Sequence, residues 1–133
     1  MKANTYEYPD FDKFNTFPKL LKHRSEIMPY EVALRNKDLG IWNEITWSDY
    51  NKIVSELSIG LKSIGFKKGD VLALIGDNKP EWVFFELACH ANGGMSLGIY
   101  RDTLDEEVGY LVTVSYKHLR AHENMSNRGL RLL

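Results

Sequence analysis

One stretch constrains the fold of this chain more than any other. Val71-Leu-Ala-Leu-Ile75 is apolar at both parities, the pattern of a strand covered on both faces, as in a parallel sheet. Gly76-Asp-Asn-Lys-Pro80 then turns the chain into a helix running through Trp82, Val83, Phe84, Phe85, Leu87, Ala88 and Cys89. That helix is apolar nearly all round and is expected to be buried on more than one side. Asn78 is the expected N-cap, with Pro80 in the first turn and Glu81 three residues after the cap. Asn92-Gly93-Gly94 ends the helix, and Met95 to Tyr100 reads as a second strand. Strand, helix and strand within about thirty residues predict a right-handed βαβ crossover and an α/β fold.

The flanks add a hairpin and further helices. Residues 1–15, with Tyr6, Tyr8, Pro9, Phe11 and Phe14 among acids, read as an extended arm. A helix opens at Thr16 or Asn15 with Pro18 in its first turn, carries Phe17, Leu20, Leu21 and Ile27 as an apolar stripe, and stops at Pro29. Val32 to Arg35 and Ile41 to Thr46 form the predicted β-hairpin, with a polar turn around Asn36 to Gly40. Thr46 caps the next helix, and Asp49 at the third helical position gives an acidic capping box. Trp47, Tyr50, Ile53, Val54, Leu57, Leu61 and Ile64 share one face of it, and Gly65 supplies the left-handed stop. Beyond the second strand, Thr103 with Glu106 predicts another capping box, with Leu104, Val108, Leu111 and Val112 facing inward.

Charge and composition bound the function. The chain has 133 residues, 44% hydrophobic and 26% charged, with net charge -1. This is too apolar and too neutral for a disordered chain, and it lacks the basic surface of a general nucleic-acid binder. The single cysteine, Cys89, cannot form an internal disulfide, which suits a reducing compartment. The longest strictly apolar run is the five residues Val71 to Ile75, far short of the roughly 20 that span a bilayer. No secretory signal core follows Met1, so a cytoplasmic globular chain is expected. The balance shifts along the sequence: residues 1–113 carry a net of -4, and residues 114–133 a net of +3. The basic tail, with His118 and His122, shows neither a sustained helical stripe nor strand alternation. It reads as a solvated or unrelated tail, against the sharper alternative of a basic arm for nucleic acid or acidic membrane.

Taken singly, the chemistry-bearing residues name no reaction. A βαβ unit often holds its ligand beyond the carboxyl end of its first strand, here Gly76-Asp77-Asn78-Lys79. A phosphate cradle needs several glycines so that backbone N–H groups converge on the anion; this turn has one, and reads as turn and cap. His23, His90, Cys89, His118 and His122 show no metal-ligand spacing. Cys89 and His90, adjacent on a helix, point about 100° apart and cannot chelate together. Cys89 reads as a buried core thiol rather than a nucleophile. Asp102, Asp105, Glu106 and Glu107 look like an acid–base cluster but occupy a first helical turn, where the helix dipole favours acids.

Three longer stretches carry a resemblance. Gly69-Asp-Val-Leu-Ala-Leu-Ile-Gly-Asp-Asn-Lys-Pro-Glu-Trp82, Ala88-Cys-His-Ala-Asn-Gly-Gly-Met-Ser-Leu-Gly-Ile-Tyr100 and Thr103-Leu-Asp-Glu-Glu-Val-Gly-Tyr-Leu111 resemble the AMP-forming acyl-CoA synthetases. The G-D-N-x-P-E-W wording and the G-I-Y that follows are most similar to the long-chain fatty-acid branch, and Ile45-Thr-Trp-Ser-Asp-Tyr50 resembles that family's entry to the second helix. The likeness covers roughly residues 16–113.

The resemblance implies an enzyme that joins a carboxylate to ATP, giving an acyl-adenylate and pyrophosphate, and then passes the acyl group to the thiol of coenzyme A. It implies ATP, Mg²⁺ and coenzyme A as cofactors, and a fatty acid as substrate, for a parent several times longer. The parent is expected to be cytoplasmic or peripheral at a membrane. The family's phosphate-gripping loop, adenosine-binding acids and catalytic lysine lie further along the chain, so no catalytic, cofactor-binding or metal residue is carried over. Pro80, Glu81, Trp82, Gly93, Gly94 and Tyr100 match the family pattern as framework. Residues 16–113 are thus expected to be the N-terminal part of an AMP-binding domain, inactive alone, with exposed apolar surface and a tendency to aggregate. From Val114 the match fails; Val114-Ser-Tyr-Lys-His-Leu-Arg-Ala-His-Glu123 resembles translated sequencing-adapter text, an artefactual tail. Two other readings stay open: a medium-chain or aryl adenylating ligase, and a free-standing, non-catalytic α/β binding module.

Overall fold

The apolar run at the centre of the sequence forms the central strand of a small sheet. In the computed structural model, which describes residues 8–115 and 131–132, the order is α1 (Phe17–Ile27), β1 (Val32–Asp38), β2 (Ile41–Thr46), α2 (Trp47–Ser63), β3 (Val71–Ile75), α3 (Pro80–Ala91), β4 (Met95–Ile99), α4 (Asp105–Ser115) and β5 (Arg131–Leu132). β3 and β4 pair in parallel with Val71 opposite Met95 and Ile75 opposite Ile99. The predicted βαβ unit is therefore present. β1 and β2 form a separate antiparallel hairpin.

Both faces of β3 are covered, as its continuous apolar pattern requires. Leu72 and Leu74 join the main core with Leu21, Tyr50, Val54, Leu61, Phe66, Phe84, Ala88 and Cys89. Ala73, whose side chain alternates to the opposite face, is also fully buried. α3 packs on β3 and β4, α2 packs on α3, and α1 lies against both helices. Gly94 lets this packing close. A Cβ there would come within 2.5 Å of the Phe66 ring and 2.9 Å of the Asp70 carbonyl oxygen.

α2 forms as its sequence dictates. The Thr46 hydroxyl accepts from the Asp49 N–H at 3.1 Å, and the Asp49 carboxylate accepts from the Thr46 N–H at 3.3 Å, closing the capping box. α1 likewise starts at its predicted cap, with the Thr16 hydroxyl accepting from the Lys19 N–H. Only part of its stripe is used: Leu21 is buried, while Phe17 is 69% exposed and Ile27 is also exposed. On α2, Ile64 falls past the last helical residue and is exposed.

The structure corrects several sequence expectations. The hairpin turn is two residues, Leu39-Gly40, both at positive φ (47° and 84°), and Asn36, Lys37 and Asp38 extend β1 instead. Mirror-image two-residue turns match the right-handed strand twist, so pairing runs to the tip. Asn78 does not cap α3. Lys79 occupies the N-cap without a side-chain hydrogen bond, because the Lys79 N–H folds back onto the Asp77 carbonyl at 2.8 Å and moves the start one residue on.

Thr103 is not the cap of α4. The first helical bond runs from the Val108 N–H to Leu104, and the Thr103 N–H donates to the Tyr100 carbonyl, so the tight turn after β4 uses up that residue. Leu104 is consequently exposed, and only Val108, Leu111 and Val112 are half-buried.

The arm is not extended in its described part. Asp10 to Phe14 make a turn, with the Asp10 carboxylate accepting from the Asp12 and Lys13 N–H groups at 3.0 and 3.3 Å. The basic tail also contributes structure. Arg131–Leu132 pair antiparallel with β3, Leu132 opposite Leu74, giving the sheet order β4-β3-β5. α4 itself continues to Ser115, past the boundary expected at residue 113. His118, His122 and the rest of residues 116–130 lie outside the described residues.

Candidate functional site

Two places on the fold are candidates, and they differ in chemistry. The first lies at the carboxyl ends of the parallel strands, where open α/β sheets bind ligands. There β3 runs out into Gly76-Asp77-Asn78-Lys79 and β4 into Tyr100-Arg101-Asp102-Thr103. Arg101 joins the two turns: its guanidinium meets the Asp77 carboxylate at 2.5 Å and the Asp102 carboxylate at 3.6 Å. No local pattern marks Arg101, because the pair is 24 residues apart and only parallel pairing brings the turns together.

The first turn after β3 has a single glycine, and the Asp77 carboxylate there is engaged by Arg101. No group of three or more His, Cys, Asp or Glu side chains able to hold a metal occurs among the described residues.

The second candidate is an apolar groove of about 400 Å³ where the arm meets the helices. Phe11 of the arm, Phe17, Leu21 and Arg24 of α1, and Trp47 and Tyr50 of α2 form much of its wall. The Trp47 and Tyr50 rings stack at 6.4 Å, and Tyr50 tilts against Phe84 at 5.2 Å. Burial, reinforced by the negative charge of Glu86, pushes the Tyr50 phenol up to about 12, so it remains a neutral donor at physiological pH. The signal for the groove was present in the aromatic arm and the α1 stripe, but only the turn at Asp10 to Phe14 folds one over the other.

The remaining candidates resolve into structural roles. Cys89 is fully buried, and burial pushes its thiol up to about 11, so it stays protonated and unreactive. His23 stacks on Phe14 at 4.1 Å. His90 Nε2 lies 3.1 Å from Ser96 Oγ, and that hydroxyl donates to Glu86 Oε1 at 3.1 Å. This ties α3 to β4, but it is not a hydrolytic triad: the acid meets the serine instead of orienting the histidine. Asp105, Glu106 and Glu107 sit in the first turn of α4, as the dipole favours. Trp82 packs over Gly98, where a Cβ would lie 3.1 Å from its ring. Gly93, at φ 74°, turns the chain into β4. Tyr100 is 87% exposed.

A sequence model of the AMP-binding enzymes matches residues 21–118, about three quarters of the chain. The chain belongs to that family. The match runs five residues beyond the boundary expected at residue 113. Among curated relatives, the mouse (Mus musculus) long-chain-fatty-acid–CoA ligase ACSBG2 is 27% identical over 97 residues, covering 73% of this chain and 14% of its own length. The human (Homo sapiens) ligase ACSBG1 is 30% identical over 80 residues, 60% of this chain and 11% of its own. This AMP-binding chain thus spans about one eighth of the curated relatives it matches.

Solved structures agree on the fold. The fatty acid AMP ligase from Legionella pneumophila superposes with a TM-score of 0.74 at 15% identity, over 83% of this chain and 20% of that one. The N-terminal subdomain of NpsA from Klebsiella oxytoca gives 0.67 at 22%, over 74% and 25%. The α/β architecture is therefore that of the N-terminal subdomain of adenylate-forming enzymes.

Proposed function

We propose that residues 16–113 are the opening segment of a long-chain fatty-acid–CoA ligase and that the 133-residue chain is inactive by itself. The observation that carries the substrate class is the similarity over 97 residues to ligases of that specificity. Fold likeness alone does not choose between acyl and aryl substrates, since both a fatty acid AMP ligase and NpsA superpose on it.

In the complete protein, ATP and coenzyme A would supply the activating and accepting groups, and Mg²⁺ would neutralise phosphate charge. The reading of inactivity is supported by the family's phosphate-gripping loop, adenosine-binding acids and catalytic lysine being expected further along the chain, and by the single glycine in the turn beyond β3. The role left to this segment is scaffolding: the βαβ unit and α2 hold a rigid wall against which the remainder of the domain builds the site. Peripheral contact of the complete enzyme with membrane fits a lipid substrate, and no helix among the described residues is long and apolar enough to cross a membrane.

The test begins with re-sequencing downstream of codon 113, where a continuous frame into a Ser/Thr/Gly-rich loop is expected and a confirmed stop supports a free-standing module. ATP–pyrophosphate exchange by the complete product should be greatest with long acyl chains; preference for short or aromatic acids overturns the substrate class. The 133-residue chain should give no exchange, and a measurable rate overturns its inactivity.

A further inference from the structure

We propose that the second edge of β3 is a self-association site and that β5 occludes it: when β5 lifts away, β3 pairs antiparallel with β3 of a second copy of this chain. The inference concerns the 133-residue chain and does not require the ligase reading. One edge of β3 is paired with β4 along its whole length, Val71 to Ile75. On the other edge β5 meets only Leu74 and Ile75, so Val71, Leu72 and Ala73 have no strand partner there among the described residues. The antiparallel contact with β5 shows which strand direction this edge accepts.

The sequence of β3 indicates what fits that edge. Val71-Leu-Ala-Leu-Ile75 reads nearly the same in both directions. An antiparallel pair of such strands, centred on Ala73, sets Val71 opposite Ile75, Leu72 opposite Leu74 and Ala73 opposite itself. Apolar, β-branched cross-strand pairs of this kind stabilise a sheet. A two-fold axis makes each contact twice, the isologous arrangement of most dimers. The same register puts Asp70 opposite Gly76 and Asp77 opposite Gly69, so the flanking acids do not oppose one another. Leu72 and Leu74 belong to the main core and Ala73 is buried on the opposite face, so the pairing extends the sheet with its apolar residues still inside.

Nothing within β3 defends the edge. The strand holds no charge and no proline, two of the devices by which free edges are kept from pairing. The guard is β5 itself, a strand of two residues, and short peripheral elements open at little cost.

Amide hydrogen exchange of the 133-residue chain, followed over a concentration series beside sedimentation velocity, tests the proposal. As dimer forms, the amides of Val71 to Ala73 that point away from β4 should exchange more slowly, and those of Arg131 and Leu132 faster. Leu132→Pro disfavours the β5 strand, and should dimerise about tenfold more tightly while circular dichroism stays native, because the open edge no longer competes with β5.

Slowed exchange at Met95 to Ile99 with β5 still protected would place the contact on the β4 edge and overturn the proposal. Undiminished protection of Arg131 and Leu132 in a dimer joined at β3 does so as well, since the two copies would then be exchanging β5. A natively folded Leu132→Pro protein that dimerises no more tightly than its parent overturns the occluding role. Should that variant fail to fold, exchange in the unaltered chain decides.

Discussion

Single residues set the limits of several elements, and the cap at Thr46 is the clearest. The Asp49 carboxyl is held below its ordinary range, first by the Thr46 hydroxyl and then by the Thr46 N–H. A carboxyl whose folded value lies below its unfolded value adds stability above the unfolded value and loses it as pH falls through the folded one. Thr46→Ala removes the N-cap hydroxyl, a loss of about 1 kcal/mol for an ordinary cap in urea unfolding at neutral pH, and the variant should show a shallower acid loss below about pH 4. Cys89 works in the opposite sense. Its thiol rises from 9.0 to about 11 on folding, so the stabilisation is complete below pH 9 and fades as pH climbs toward 11. A disulfide reagent at pH 8 should leave the native thiol unmodified until urea unfolds the chain, and Cys89→Ala should soften the alkaline limb. Rapid labelling of the native protein would contradict its burial.

At the scale of elements, two junctions carry opposite strains. Leu39 holds a left-handed backbone at φ 47° while 96% exposed, so its side chain brings conformational cost with little packing in return. That conformation costs an L-residue about 1–2 kcal/mol, and Leu39→Asn or Leu39→Gly should raise the thermal midpoint; an unchanged or lower midpoint would mean that Leu39 contributes contacts of its own. Gly94 is the reverse case. A methyl there collides with Phe66 and with the Asp70 backbone, and the Asp70 carbonyl also accepts from the Met95 N–H as β4 begins. Gly94→Ala should therefore cost about 1–3 kcal/mol and loosen β3–β4 first, seen as faster amide exchange along both strands than along α2.

For the whole molecule, the apolar surface left open decides behaviour in solution. Ile59, Ile64, Met95, Tyr100, Leu104 and Tyr110 are all exposed. The outer edge of β4 has no strand partner among the described residues, and unpaired edges template association. α4 packs only marginally on the other described elements. The isolated chain should bind a hydrophobic dye and self-associate with rising concentration in sedimentation. A sharply melting monomer at all concentrations would show instead that these faces need no cover.

Sequence by itself determined the elements whose physics is local or strictly periodic. The box at Thr46 and Asp49 needs only three residues, the α2 stripe recurs at helical spacing, and an apolar run like Val71–Ile75 is stable only as a covered strand. It also carried enough pattern to mark the AMP-binding family. Tertiary structure decided what depends on residues distant in the chain. Arg101 reaches Asp77 only because β3 and β4 are parallel, and the hairpin closes at Leu39 because strand pairing outweighs that residue's own preference. Asn78 loses the α3 cap to a backbone fold-back, and the groove exists only because the arm turns at Asp10 and meets α1. Each of these outcomes is a competition between a local preference and a long-range contact, and one-dimensional pattern records only the first.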